Sequence, residues 1–506
     1  MNEKARKIPL QIARVRTILF QFVKNRTILL QFVKSTLHAL VGAFIVILIL
    51  AVVYLNGRDE LKIWHTATLD AEFTESTSIK TFREYLALED RLFSQLDEQV
   101  YSKTSSEDRG TINRYRSGSP SDPNRWPINW NRSFELIPEK SPEIGVLLIH
   151  GLSDSPYSLR TLGQRLEKAG AYVLGLRVPG HGTAPSGLTT VTYQDMAAAV
   201  KLAMHHLSVQ TPGKPLYIVG YSNGGALAVH YALTALEEPN LPTADGLILL
   251  SPEIGVTAMA GLAVWQERIG RLLGLKKLAW NDILPEYDPF KYTSFAVNAG
   301  NLVYQITGVN RAKIAKLGAA GKLDDFPSVL AFQSAVDATV SAPALVQDLF
   351  AHLPEGGHEL VVFDLNRMAG VKQLLKADPK SRFPIIRDLP NRSFVFSLLT
   401  NKNDESAEIT VRHWRPAQSE FSDSDPKLAW PEGIYSLSHV ALPFSGKDPV
   451  YGGDSPNPSP GIQLGTLALR GEKGVLQISS PAMLRLRWNP FYDYLEDRVI
   501  ERLKLN

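Results

Sequence analysis

The chain has no cysteine, so disulfides and thiolate metal sites are excluded, while the compartment stays open. It also lacks His/Asp ligand clusters at metal spacing and Gly-rich phosphate loops, so neither a metal nor an organic cofactor is implied. A large excess of one charge is missing too, because the net charge over 506 residues is only +3. That figure hides an uneven distribution. Residues 1–35 hold eight basic side chains against Glu3, or +7, which leaves about −4 for the rest. A near-neutral globular part carries no electrostatic footprint for nucleic acid.

Formal charge is absent from the twenty residues Thr36 to Leu55. As a helix they would reach roughly 30 Å at ~1.5 Å per residue, enough to cross a hydrocarbon core. The alternatives are a cleaved signal peptide or a buried core helix, but Tyr54-Leu55-Asn56-Gly57-Arg58 offers no small-residue cleavage site. A single transmembrane helix at 36–55 is therefore expected. With the basic flank ahead of it, the N-terminus at 1–35 stays cytoplasmic and the remainder lies in the periplasm or outside the cell. The repeat Arg16–Lys24 and Arg26–Lys34 fits either an interfacial amphipathic helix or a short duplication.

Beyond the span, residues 56–125 read as a juxtamembrane helix near 81–101 followed by a polar linker from Ser102 to Arg125. Unalternating apolar strands then alternate with helices. Strands are expected at 145–149, 172–176, 216–219, 247–250, 328–332, 359–363 and 474–478, with a closing helix near 490–505. Apolar strands without alternation mean a sheet buried on both faces, hence a doubly wound, mostly parallel α/β core at 126–252 and 327–506. Two stretches interrupt it. Residues 253–326 form a helical cap insertion, and 365–430 a second insertion holding a hairpin of 393–399 with 408–412.

The chemistry centres on Gly220-Tyr221-Ser222-Asn223-Gly224. Gly-x-Ser-x-Gly occurs by chance ~0.2 times in a chain of this size. Here it directly follows an apolar strand and opens a helix rich in small residues, which is the context of a nucleophile elbow rather than of a plain turn serine. A serine nucleophile needs a base and a carboxylate to orient that base. In hydrolases built on such an elbow, the chain order is Ser, acid, His. His230 sits in the helix after the elbow, His352 and His358 read as loop residues, and His413 lies in a hairpin strand. His439, in a loop-like stretch near the end of the domain, is the expected base. Asp337 follows the strand ending at Phe332, at the carboxyl end where such sheets place their sites. Asp364, ending the next strand, is its competitor. Backbone N–H groups of Asn223 and Leu152 are the expected oxyanion donors, and His150 is expected to be structural.

Strand-His150-Gly151, Arg177-Val-Pro-Gly-His-Gly-Thr183, the elbow, Asp337 and His439 together resemble the monoglyceride-lipase and serine-aminopeptidase-like (S33-type) branch of the α/β-hydrolase superfamily. The likeness covers roughly 130–260 and 325–345. It implies that His181 belongs to a structural loop and that 253–326 takes the place of a cap. The long spacing from Asp337 to His439, the 365–430 stretch and the apolar N-terminal segment depart from it. The apolar stripe of the cap suits an acyl chain or simply packs on the core. Three functions fit. A carboxylic-ester hydrolase acting on a small-molecule or lipid ester leads, followed by a peptidase or amidase with the same residues. A non-catalytic binding scaffold is the third. The oligomeric state is left open.

Overall fold

The computed structural model describes residues 31–505 except 44, 47, 48, 51, 109–111, 256–274, 338, 339, 341, 369–377, 379–382, 457, 458, 468–471, 473–475, 477 and 478. It comprises two units, Met1–Glu60 and Leu61–Asn506. In the first, the described residues from Phe32 to Tyr54 are helical, and Leu37, Leu40, Ile45, Ile49 and Val53 are exposed. The transmembrane helix expected at 36–55 is not supported. Among the described residues no helix is long and apolar enough to cross a membrane, and Phe44, Ile47, Leu48 and Ala51 lie outside the description. The repeat at 16–34 lies outside it up to residue 30.

The second unit is built on a ten-stranded sheet. Its strands are β1 (Phe134–Leu136), β2 (Ile144–Ile149), β3 (Ala171–Leu176), β4 (Leu216–Tyr221), β5 (Gly246–Leu250), β8 (Ser328–Ser334), β9 (Glu359–Phe363), β10 (Val395–Asn401), β11 (Ile409–Trp414) and β12 (Phe421–Ser424). The short strands β6 (Trp280–Asp282) and β7 (Phe295–Ala296) pair separately within the expected cap. In the large sheet the order is β1-β3-β2-β4-β5-β8-β9-β10-β11-β12, parallel from β3 through β10. Alternation along each strand divides its side chains between two apolar layers. Leu147, Ile218, Leu249 and Ala331 enter one layer, and Leu148, Val219, Leu250 and Phe332 the other. Helices α1 (Phe82–Leu96), α3 (Tyr193–Gln210), α4 (Asn223–Ala235) and α5 (Val297–Ala319) cover the first layer, and α2 (Tyr157–Lys168) and α6 (Tyr492–Leu503) the second.

Two stretches differ from their sequence reading. Ser102–Arg125 looks like a linker because it is polar, yet Thr104, Asn113, Arg114, Ser119 and Ser121 are buried. Several of its polar groups are bonded inside the unit. Arg114 N–H donates to the Glu286 carbonyl at 2.8 Å and Ser121 Oγ to that of Tyr287 at 2.5 Å. The 365–430 stretch, for its part, supplies β10, β11 and β12 to the main sheet, with β10 parallel to β9 and the other two antiparallel. The strand expected at 474–478 lies outside the described residues apart from Leu476.

Candidate active site

Ser222 joins β4 to α4 in a conformation that L-residues seldom adopt, with φ 54° and ψ −117°. Such strain persists only where the surroundings over-determine it. Here its N–H donates to the Leu250 carbonyl of β5 at 2.9 Å, and glycines admit the tight turn. A Cβ on Gly220 would lie 2.4 Å from the Gly224 carbonyl oxygen, and one on Gly224 only 2.0 Å from that of Ile149. The helix that follows turns its first N–H groups, which have no intrahelical acceptor, toward the carboxyl edge of the sheet.

His439 opens a short 3-10 turn, His439–Ala441. Its Nε2 is 3.1 Å from Ser222 Oγ, and its Nδ1 is 2.7 Å from Asp337 Oδ2. With Nδ1–H donating to the carboxylate, Nε2 is left to accept the serine proton. Asp337 is held in turn by Gln333 Nε2 at 2.9 Å and by the Val340 N–H at 3.0 Å. All three residues are buried, and while the His439 side chain keeps 8% exposure that of Asp337 is fully shielded. A hydroxyl, an imidazole and a carboxylate so linked can deprotonate the hydroxyl as it attacks an acyl carbon.

The loop 150–152 lies against this group. A Cβ at Gly151 would sit 3.1 Å from that of Ser222, so this loop packs closely on the nucleophile. His150 is occupied elsewhere, its Nδ1–H donating to the Gly151 carbonyl and its Nε2 accepting from the Val178 N–H at 3.0 Å. Burial, and the neighbouring His181, hold it well below the ordinary imidazole range. His181 is pushed down to about 4 by burial, and its Nδ1 meets the Pro179 carbonyl.

The remaining candidates are tied down away from the serine. His230 bonds Asn310 at 2.9 Å, His358 accepts from the Val329 N–H at 3.1 Å, and His413 bonds Ser397 at 2.9 Å. Asp364 accepts from Arg367 Nε and Nη2 at 2.8 and 2.7 Å and from Thr400 at 2.8 Å. That pairing satisfies its carboxylate and removes it as a competitor to Asp337.

Two acidic residues near the site were missed in the sequence. Asp154 is 3% exposed and pushed up to about 6 by burial, against the pull of Lys291, whose Nζ is 3.3 Å away. Glu253 follows β5 at the same sheet edge as Ser222 and Asp337, so the strand-end rule that singled out Asp337 applied equally to it. Trp265, Leu272 and Leu273 of the expected cap lie outside the described residues.

Residues 140–353 match the hydrolase family described as "Serine aminopeptidase, S33". A thermostable monoacylglycerol lipase of Bacillus sp. (strain H-257) is 29% identical over 117 residues, 23% of this chain and 44% of that lipase. The chain thus spans less than half the length of that curated relative. Among solved structures, a metagenome-derived lipolytic enzyme is 21% identical over 52% of this chain and 99% of its own, with a TM-score of 0.36. The monoacylglycerol lipase of Paleococcus ferrophilus is 19% identical over 46% and 88%, with a TM-score of 0.35. Over residues 140–353 the chain is therefore similar to the serine-aminopeptidase-like hydrolases, and over a shorter stretch to the Bacillus lipase.

Proposed function

We propose that the protein is a membrane-anchored serine hydrolase that cleaves carboxylic esters, of the lipase or lysophospholipase kind, through an acyl-enzyme on Ser222. The observation that carries the reading is the continuous chain from Ser222 Oγ through His439 to Asp337, at 3.1 and 2.7 Å. His439 Nε2 takes the hydroxyl proton as Oγ attacks the acyl carbon, then returns it to the departing alcohol. Asp337 keeps the imidazole in the required tautomer and stabilises its cation. The N–H groups of Leu152 and Asn223 receive the oxyanion, each contributing ~3–4 kcal/mol of transition-state stabilisation. Water, deprotonated by the same imidazole, then releases the acid.

The lipid-ester class is favoured by the lipase relative and by the apolar N-terminal segment, which would raise the local concentration of lipid substrates. Its twenty uncharged residues and exposed Leu37, Leu40, Ile45 and Val53 support an anchor at 36–55. The basic segment ahead of it supports a cytoplasmic N-terminus and a catalytic unit in the periplasm or outside the cell. An amidase or peptidase is the second reading, favoured by the family description and sharing every step up to the leaving group.

A fluorophosphonate probe tests the reading. Wild type should label while Ser222→Ala does not, and an unlabelled wild type would sink it. p-Nitrophenyl esters of rising chain length, set against aminoacyl amides, then separate the two readings.

A further inference from the structure

Glu253 is fixed against the nucleophile by its backbone. It follows β5 through Ser251-Pro252, and its N–H donates to the Ser222 carbonyl at 3.0 Å. The residue is 9% exposed, and its Oε2 is buried without a hydrogen-bond partner.

Among the described residues, other buried carboxylates are hydrogen-bonded or ion-paired. Asp337 receives His439, Gln333 and Val340. Asp448 receives Tyr157, Arg160 and the N–H groups of Val450 and Tyr451. Glu89 receives Ser133 and Arg177. The charged groups that act on Glu253 are Asp337, which disfavours its ionisation, and Lys291, which favours it. Lys291 is already engaged, with Nζ on Asp154 at 3.3 Å. Burial and the Asp337 charge together push the Glu253 carboxyl up to about 7.

A buried polar group left unpaired costs about 1–3 kcal/mol, and more when charged. An apolar residue would avoid that cost, and Ile254 next to it is a buried apolar residue. A carboxyl is useful at this position only if a ligand partners it.

We propose that Glu253 is a specificity residue whose carboxyl accepts a hydrogen bond from an ammonium or hydroxyl group that the substrate carries close to the scissile carbonyl. The inference rests on the hydrolase reading above and narrows its substrate class to esters or amides with such a donor. The donor has two sources with the same chemistry, an amine on the acyl group or a free hydroxyl on a polyol leaving group. An unfunctionalised acyl ester of a simple alcohol leaves the carboxyl unpaired and is the poorer substrate.

The test compares kcat/KM for wild type, Glu253→Gln and Glu253→Leu on two size-matched pairs. p-Nitrophenyl alaninate against p-nitrophenyl isobutyrate probes the amine, and glyceryl monobutyrate against propyl butyrate probes the hydroxyl. Wild type should favour the donor-bearing member of at least one pair by about tenfold or more, and Glu253→Leu should bring that ratio near one. The pair that responds identifies the source. Glu253→Gln, which keeps an acceptor but no charge, should lose more of an ammonium preference than of a hydroxyl preference. Fluorophosphonate labelling of Ser222 reports whether each variant folds, and the glutamine variant decides if the leucine variant does not label. Labelled, active variants with unchanged ratios in both pairs overturn this inference alone. Absence of labelling and of turnover of all four esters in wild type overturns the hydrolase reading beneath it.

Discussion

His439 and Asp337 are 102 residues apart in the chain, yet their side chains meet at 2.7 Å. The sheet closes that gap. After Asp337 the chain adds β9 through β12, then returns across the carboxyl ends of β8 and β9. Ser334 Oγ at the end of β8 donates to the Leu437 carbonyl at 2.6 Å, and the Asn366 N–H beyond β9 donates to that of Tyr435 at 2.8 Å. These two bonds moor the segment just ahead of His439. The intervening strands therefore lengthen the sequence without lengthening the distance at the site.

Removal of any member of the hydrogen-bonded chain should collapse turnover. His439→Ala and Asp337→Asn should each lower kcat by about 10⁴-fold or more, with Ser222→Ala at least as severe. Steady-state kinetics on a p-nitrophenyl ester provide the readout. Near-normal rates in Asp337→Asn would remove the acid role from that residue.

Asp364→Asn should separate stability from catalysis. Its carboxylate is paired with Arg367, whose Nη1 also meets Asp378 at 2.8 Å, so the substitution weakens a buried charge-assisted pair without orphaning the cation and should cost about 1–3 kcal/mol. kcat/KM of the folded variant should stay within a few-fold of wild type. Thermal unfolding beside kinetics distinguishes this from a role in the reaction.

Gly224→Ala should damage the elbow through its backbone rather than its chemistry. The added Cβ would lie 2.0 Å from the Ile149 carbonyl oxygen, where no flexible side chain can yield. Overpacking of this kind costs about 1–3 kcal/mol, and it displaces the Asn223 and Leu152 amides relative to Ser222. Fluorophosphonate labelling should slow sharply. Labelling at the wild-type rate would show that the two segments can part without cost.

Burial of Glu253 and Asp154 should subtract stability as pH rises toward neutrality, opposite in sign to the contribution of the buried His150 and His181. The Glu253 carboxyl is raised to about 7 and that of Asp154 to about 6 in the folded protein, both chiefly by burial. A folded-state value above the unfolded one means that the folded form binds protons more tightly. Its stabilising contribution is present below the unfolded value, near 4 to 4.5, and is lost as pH climbs through 6 to 7. Glu253→Gln cannot ionise there, so its Tm relative to that of wild type should rise between pH 5 and 8. Parallel Tm curves would refute the buried, unpaired state of this carboxyl.

Truncation of residues 1–60, the first unit, tests the anchor. Activity of the full chain should sediment with membranes and resist high salt, and the truncated chain should appear in the soluble fraction with its esterase turnover retained. A full-length enzyme that stays soluble would refute membrane attachment through 36–55.

The sequence by itself determined the parallel core, because strands buried on both faces must be apolar at every position, and β2, β3 and β5 are so throughout. It determined the elbow as well, since glycines on both sides of a serine between strand and helix answer a local steric demand. The strand-end and chain-order rules pointed to Asp337 and His439, and the fold brings both to Ser222. What only the tertiary structure decided depends on partners distant in the chain. Arg114 and Ser121 look like linker residues until Glu286 and Tyr287 accept their hydrogen bonds. The hairpin beyond 393 reads as an insertion until β10 pairs with β9. Glu253 is the same kind of case, because whether a carboxylate is paired or orphaned depends on which groups the rest of the chain brings within reach.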